Sequence, residues 1–393
     1  MLLSLALIFL CGTALGELCG KLRLPRLVGM VAAGILIGPY GLCLLDPSVL
    51  SLSADLRRMA LIIILTRAGL SLDLADLRRV GRPAVLMCFV PACCEIGGML
   101  LLAPPLLHLS LPEAAVLGAV IAAVSPAVVV PKMLRLMDEG LGVKKGVPQL
   151  ILAGASVDDV FVIVLFACFT GLLAGGGFDA AGLLRIPTSL LLGAAAGWLC
   201  GEPIARFFGK TGWNPTMKAL LLLSVSFLLV SAEDVIPAHS AVGFSGLIAV
   251  MCMALALHRR SAEEAAQIAG QYARLWNGAE TVLFVLVGAA VNIGYARRAG
   301  LAMLLLIAGV LVFRMGGVWL CLVRTGLSMR ERLFCMIAYT PKATVQAAIG
   351  AVPLSMGLAC GETVLTAAVI AILFTAPLGA IGMELTAPKL LKK

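Results

Sequence analysis

Val124-Ser125-Pro126-Ala127-Val128-Val129-Val130-Pro131 decides how this chain folds, because it sets two prolines inside an apolar run long enough to cross a membrane. Proline removes a backbone N–H and clashes with the preceding turn, so it frees carbonyls and half-helix ends at membrane depth. Such backbone is tolerated in lipid only where it lines a protein cavity. A lone proline kink is common, but the pattern recurs at Tyr339-Thr340-Pro341-Lys342-Ala343-Thr344-Val345-Gln346, and both copies read Ser/Thr-Pro-x-x-Val/Thr-Val. A second match precedes each copy, Glu95-Ile96-Gly97-Gly98 before the first and Arg314-Met315-Gly316-Gly317 before the second.

The chain around these motifs is 61% hydrophobic and 13% charged, whereas a soluble domain carries about 25% charged residues. Lipid must be its solvent. Breaking the apolar windows at charge and Pro/Gly clusters predicts 13 spans, near 2–19, 27–45, 57–72, 83–107, 113–136, 148–174, 186–207, 217–233, 239–257, 276–295, 299–323, 331–357 and 361–385. Each is a helix, since an isolated strand cannot satisfy its backbone in hydrocarbon. The fold class is therefore an all-α polytopic membrane protein, with residues 1–393 as a single membrane domain. No polar stretch is long enough for a soluble domain, and Gly175-Gly176-Gly177 is the one short glycine turn. Both motif matches are offset by seven spans, and an odd offset makes the two copies run through the membrane in opposite senses. Inverted repeats with two crossed discontinuous helices are a transporter architecture. The repeat also places Glu95 and Arg314 at equivalent points and predicts that they approach each other.

The 30 Lys and Arg residues fit this division. Twenty-two fall on one alternating set of loops and helix ends, and five (Arg57, Arg58, Arg185, Arg297, Arg298) on the other. By the positive-inside rule the N-terminus is outside and the C-terminus cytoplasmic. The first segment lacks the basic start of a signal peptide, and Lys21, Arg23 and Arg26 follow it instead, the pattern of a retained first helix. The net charge of +9 is thus spread over loops as a topology determinant. No basic patch interleaves with aromatics, so no nucleic-acid partner is expected. The twelve cysteines sit mostly singly in apolar runs, as small hydrophobes do. Cys93 and Cys94 are adjacent, which is not metal-ligand spacing, and only His108, His239 and His258 could assist them.

Arg67, Arg314 and Lys342 remain inside spans, with Glu95, Asp158, Asp159, Glu202 and Glu280 on the acidic side. A charge at the centre of a spanning helix costs about 2.5–3.5 kcal/mol on insertion scales, so it is retained where it is paired, hydrated or used. Glu17 and Glu384 lie near helix ends, where they reach the interface, and Glu202 with Arg206 reads as a local pair. Asp158 and Asp159 lie about ten residues into their span, near the midplane. Adjacent helix residues point about 100° apart, so one aspartate can face an ion path while the other faces a neighbouring helix. Low dielectric and the adjacent carboxylate favour the protonated form, and a proton then competes with a hard cation for the same oxygens. Mutual exclusion of the two is the physical requirement for antiport. Lys342, on the second interrupted helix, can offset opposed helix dipoles and an empty carboxylate site, and it can lose a proton where Arg314 cannot.

These residues resemble the cation/proton antiporter superfamily, and most closely its two-aspartate sodium/proton branch of the NHA type. Thr66-Arg67-Ala68-Gly69-Leu70-Ser71-Leu72-Asp73, the first interrupted motif, Ala155-Ser156-Val157-Asp158-Asp159 and Pro341-Lys342-Ala343-Thr344-Val345-Gln346-Ala347-Ala348-Ile349-Gly350 carry the likeness. It implies a moving ion-binding core of helices near 83–174 and 299–385, a scaffold for dimerisation near 2–72 and 217–295, and a linker helix near 186–207. It further implies a homodimer with elevator-like alternating access, in a bacterial inner membrane. Asp159 is then the principal sodium and proton site and Asp158 its neighbour, while Ser125, Ser156 and unwound backbone near Val128 lend oxygens. Glu95, Arg314 and Lys342 are structural or modulating charges. Electrogenic members carry an embedded lysine where this chain has Arg314, with Glu95 as its expected partner, and this bears on proton stoichiometry.

Sodium or lithium/proton antiport is the leading expectation, with no cofactor beyond the transported ions. Potassium/proton exchange, a sodium-coupled symporter of an organic anion, and a channel or sensor are the alternatives. Symport would want a polar organic cavity, whereas the segments beside the first break are small and Ala/Val-rich. An enzyme is not expected, because the motifs hold no nucleophile with a nearby base and no phosphate-cradling loop.

Overall fold

A computed structural model describes residues 1–71, 81–174, 180–235 and 243–392, with backbone alone at Ser156, Val160, Ala174, Asp234 and residues 180–187. Asp73, Arg78, Arg79, the 175–177 glycine turn, His239 and the side chains of Ser156 and Arg185 lie outside the described residues. Those described form helices joined by short loops, without strands. They are α1 (Leu2–Lys21), α2 (Arg26–Ile37), α3 (Pro47–Ser51), α4 (Ser53–Ser71), α5 (Arg82–Met87), α6 (Val90–Leu107), α7 (Leu111–Ile121), α8 (Pro126–Asp138) and α9 (Val147–Ala174). There follow α10 (Ala180–Lys210), α11 (Pro215–Val235), α12 (Gly246–Arg260), α13 (Ala262–Ala289), α14 (Ile293–Cys321), α15 (Met329–Ala338), α16 (Thr344–Ile349), α17 (Val352–Ser355) and α18 (Gly361–Leu390). Among the described residues, seven helical stretches are long and apolar enough to cross a membrane, and shorter apolar helices accompany them.

Every predicted span overlaps a helix or a broken pair of helices. The largest boundary difference is at α13, which starts at Ala262 where hydropathy begins near 276. Its first turn carries Glu263 and Glu264 at the positive end of the helix dipole, and Ser261 Oγ accepts the Glu264 N–H at 3.4 Å. Electrostatics and capping extend a helix that apolarity alone does not register.

The chain forms two compact units. One comprises Met1–Arg57, Ala75–Ile163 and Thr281–Lys393, the other Arg58–Leu74 and Val164–Glu280. In the second unit, Gly193, Gly197 and Gly201 run at four-residue spacing along α10 and lie against the carbonyls of Ser245, Ala249 and Met253. A Cβ at Gly197 would overlap the Ala249 oxygen. Small residues give this contact because van der Waals packing, and not hydrophobic exclusion, drives helix association in lipid.

The first unit contains the inverted repeat. On α6 and α14 the two matching motifs face each other reciprocally: Gly98 lies against Phe313, and Gly317 against Cys94. Residue 94 stands to 98 as 313 stands to 317, so the contact is the one a pseudo-twofold axis generates. Both interrupted helices also begin alike. α7 starts with a capping box of Ser110 and Glu113, and α15 with one of Ser328 and Glu331. Ser-x-x-Glu ahead of an apolar run is visible in the sequence and marks the repeat a third time. The first break falls at residues 122–125, between α7 and α8, and the second at 339–343, between α15 and α16. The breaks touch: the Ser125 N–H donates to the Pro341 carbonyl at 2.8 Å.

Candidate functional site

Asp158 and Asp159 project from the middle of α9, and both are buried. Asp158 Oδ2 accepts the Val124 N–H at 2.8 Å, from the first break, and Arg314 Nη2 at 2.8 Å. Arg314 comes from α14 and spends its whole fork here. Nη1 donates to Glu95 Oε2 at 2.8 Å and to the Ala122 carbonyl, while Nε donates to the Tyr339 carbonyl at 2.6 Å. The guanidinium also lies 5.4 Å from the centre of the Tyr339 ring, within reach of a cation–π attraction. Lys342 Nζ donates to the same Glu95 oxygen at 2.6 Å, and its backbone N–H donates to Thr375 Oγ1 at 2.9 Å.

Glu95 and Arg314 therefore meet where the repeat predicts. Arg314 is shared, however, between Glu95 and Asp158, where the sequence expectation favoured Glu95 as its partner. Its geometry explains the difference, since a planar guanidinium with five donors can bridge two carboxylates and two freed carbonyls at once.

Glu95, Asp158, Arg314 and Lys342 have no exposed side-chain surface. The two carboxylates and two cationic groups balance in formal charge, so the quartet is neutral with all four ionised. Asp159 stands outside it, 8% exposed, with its buried Oδ1 lacking a hydrogen-bond partner. A carboxylate removed from water and left unpaired is strongly disfavoured. A proton or a cation held at that carboxylate would relieve the penalty.

The freed carbonyls of the first break are largely occupied. Gln346 Nε2 lies 3.1 Å from each of the Val120, Ile121 and Ala123 oxygens, and Arg314 takes that of Ala122. Val128, expected on unwound backbone, instead sits in the first turn of α8, where its N–H donates to the Ser125 carbonyl at 3.3 Å. The unwinding lies before Pro126 because proline is accepted in the first turn of a helix but interrupts the chain leading into it. Ser125 Oγ is buried and without a hydrogen-bond partner, so its oxygen is free to act as a ligand. Arg67 lies on the part of α4 that belongs to the second unit. Glu202 pairs with Arg206 at 3.2 Å, and also with Arg260 at 2.8 Å.

Sequence reasoning did not assign a role to Gln346 or Tyr339, although both fall inside the second interrupted motif. A buried amide in an apolar run was the available signal, since such a group must find partners.

Residues 5–387 match the family described as sodium/hydrogen exchanger, transmembrane. The chain is 34% identical over 411 residues to the human sodium/hydrogen exchanger 9B2, an alignment covering 100% of this chain and 75% of that protein. It is 31% identical over 388 residues to the human sodium/hydrogen exchanger 9B1, covering 94% and 73%. Its fold resembles that of the sodium proton antiporter MjNhaP1 from Methanocaldococcus jannaschii, with a TM-score of 0.84 at 21% identity over 99% of this chain and 98% of that one. With a site built on an unbalanced intramembrane carboxylate and a match along nearly its whole length, this chain belongs to the transmembrane sodium/hydrogen exchanger family.

Proposed function

We propose that the protein exchanges sodium or lithium for protons, the two competing for Asp159. The observation that carries this reading is the charge balance of the site. The neutral quartet leaves one buried carboxylate over, and that carboxylate has an oxygen without a partner. Asp158 and the Ser125 hydroxyl are the neighbouring oxygens best suited to help hold a cation, with Ser156 a further candidate on the same helix. Because Arg314 stays charged and engaged, and Lys342 is held as a cation on Glu95 Oε2, the exchangeable proton is assigned to Asp159 and the exchange to one proton for one cation. No cofactor takes part.

The division into a moving core near 83–174 and 299–385 and a scaffold near 2–72 and 217–295, joined by a helix near 186–207, belongs to the same reading. So do elevator-like alternating access, a homodimer, an N-terminus outside and a cytoplasmic C-terminus in a bacterial inner membrane. The cation asymmetry of the loops supports the orientation.

The experiment is dissipation of an imposed pH gradient in proteoliposomes on adding sodium, lithium or potassium. Sodium and lithium should move protons and Asp159→Asn should not. An unchanged response in that variant removes the reading, and a response to potassium alone replaces the cation.

A further inference from the structure

Two buried polar atoms in the first unit lack hydrogen-bond partners: the Tyr339 hydroxyl and Asp158 Oδ1. Tyr339 closes the C-terminus of α15 and has no exposed surface. Its ring reaches α9 only because residue 154 is glycine. A Cβ there would overlap the Tyr339 hydroxyl oxygen and would stand 3.2 Å from ring Cζ and 2.9 Å from the Cβ of Met87. The hydroxyl thus occupies the place of the missing side chain. Gly154 and Asp158 are four residues apart, hence on one helix face, with Cβ positions about 5–6 Å apart. Helical side chains lean toward the N-terminus of their helix, which carries the Asp158 carboxylate back over the turn of Gly154.

The geometry points to Tyr339 as a positioning residue that acts through Asp158. Its hydroxyl supplies the donor for Asp158 Oδ1 through one bridging water, while its carbonyl and ring hold Arg314 on Asp158 Oδ2. Glycine at 154 is the opening that admits it. This inference rests on the cation/proton exchange proposed above, in which a charged Asp158 helps Asp159 hold the cation. It adds the element that keeps Asp158 charged and oriented.

Tyr339→Phe and Gly154→Ala, singly and together, test it. In Tyr339→Phe the apparent KM for sodium should rise by about tenfold, the worth of one hydrogen bond to a charged group, while kcat changes less. The thermal midpoint of the purified protein should fall. A midpoint that rises or holds would mean that the hydroxyl is an orphan whose removal is harmless, and that overturns the inference. So does an unchanged KM in a variant of unchanged kcat. Gly154→Ala should reproduce the KM effect by displacing the ring. Combining it with Tyr339→Phe should partly rescue stability, because the overlap with the hydroxyl goes while the close approaches to Cζ and Met87 remain. Simple addition of the two single effects overturns the docking of Tyr339 on Gly154. If the wild type shows no cation-driven proton movement, the exchange reading fails, whereas the thermal midpoints still decide whether Tyr339 serves Asp158.

Discussion

Arg314 donates to Asp158 Oδ2 at 2.8 Å, and this contact gives two adjacent, chemically identical aspartates different surroundings. Asp158 belongs to a neutral network, while Asp159 is the charge left over. Their replacements by asparagine should therefore differ in sign. Asp158→Asn leaves a cation in excess and should destabilise the protein by about 3–5 kcal/mol, the cost of breaking a buried pair. Asp159→Asn removes an unbalanced charge and should hold or raise the thermal midpoint while abolishing cation-driven proton movement. Equal thermal shifts in the two variants would contradict the division of roles.

Neutrality of the quartet has its own consequence. Glu95→Gln leaves two cations facing one carboxylate, and Lys342→Gln leaves two carboxylates facing one guanidinium. The double variant restores balance and should be more stable than the sum of the single losses implies, by about 0.5–3 kcal/mol of coupling. Thermal denaturation of the four proteins in detergent measures that coupling, and additivity within error would refute it. The same cycle on Glu95 and Arg314 tests their pairing.

From α16, the Gln346 amide shares its two N–H groups among three carbonyls at the end of α7 and the start of the first break, those of Val120, Ile121 and Ala123. Gln346→Met keeps the bulk and removes the donor, so each carbonyl left unsatisfied costs about 1–3 kcal/mol. Gln346→Glu should be worse at neutral pH, because a carboxylate would then face carbonyl oxygens. Protease sensitivity and thermal midpoints should rank wild type above Met and Met above Glu; a benign Glu variant would show that the amide is not a donor here.

A one-for-one exchange carries no net charge. In proteoliposomes clamped at zero and at a large potential with potassium and valinomycin, the initial rate of sodium-driven proton movement should match within about twofold, whereas each net charge moved would couple to about 2.3 kcal/mol per 100 mV. A steep dependence on potential would show that a second proton moves, with Lys342 the group to test for carrying it.

The amino-acid order alone determined the class of the fold. A run of about 20 apolar residues has one stable form in lipid, and Pro126 and Pro341 mark the breaks wherever they are placed. The seven-span offset of Glu95 and Arg314 even carries a contact between residues 219 apart, since an inverted repeat brings equivalent positions to its axis. The charge partners beyond that contact were decided by the tertiary structure. Nothing local distinguishes Asp158 from Asp159, places Tyr339 in the gap left by Gly154, or sends the Gln346 amide to the end of another helix. Periodicity and hydropathy are properties of one helix in one solvent, whereas these pairings depend on which atoms of four separate elements converge in a space that excludes water.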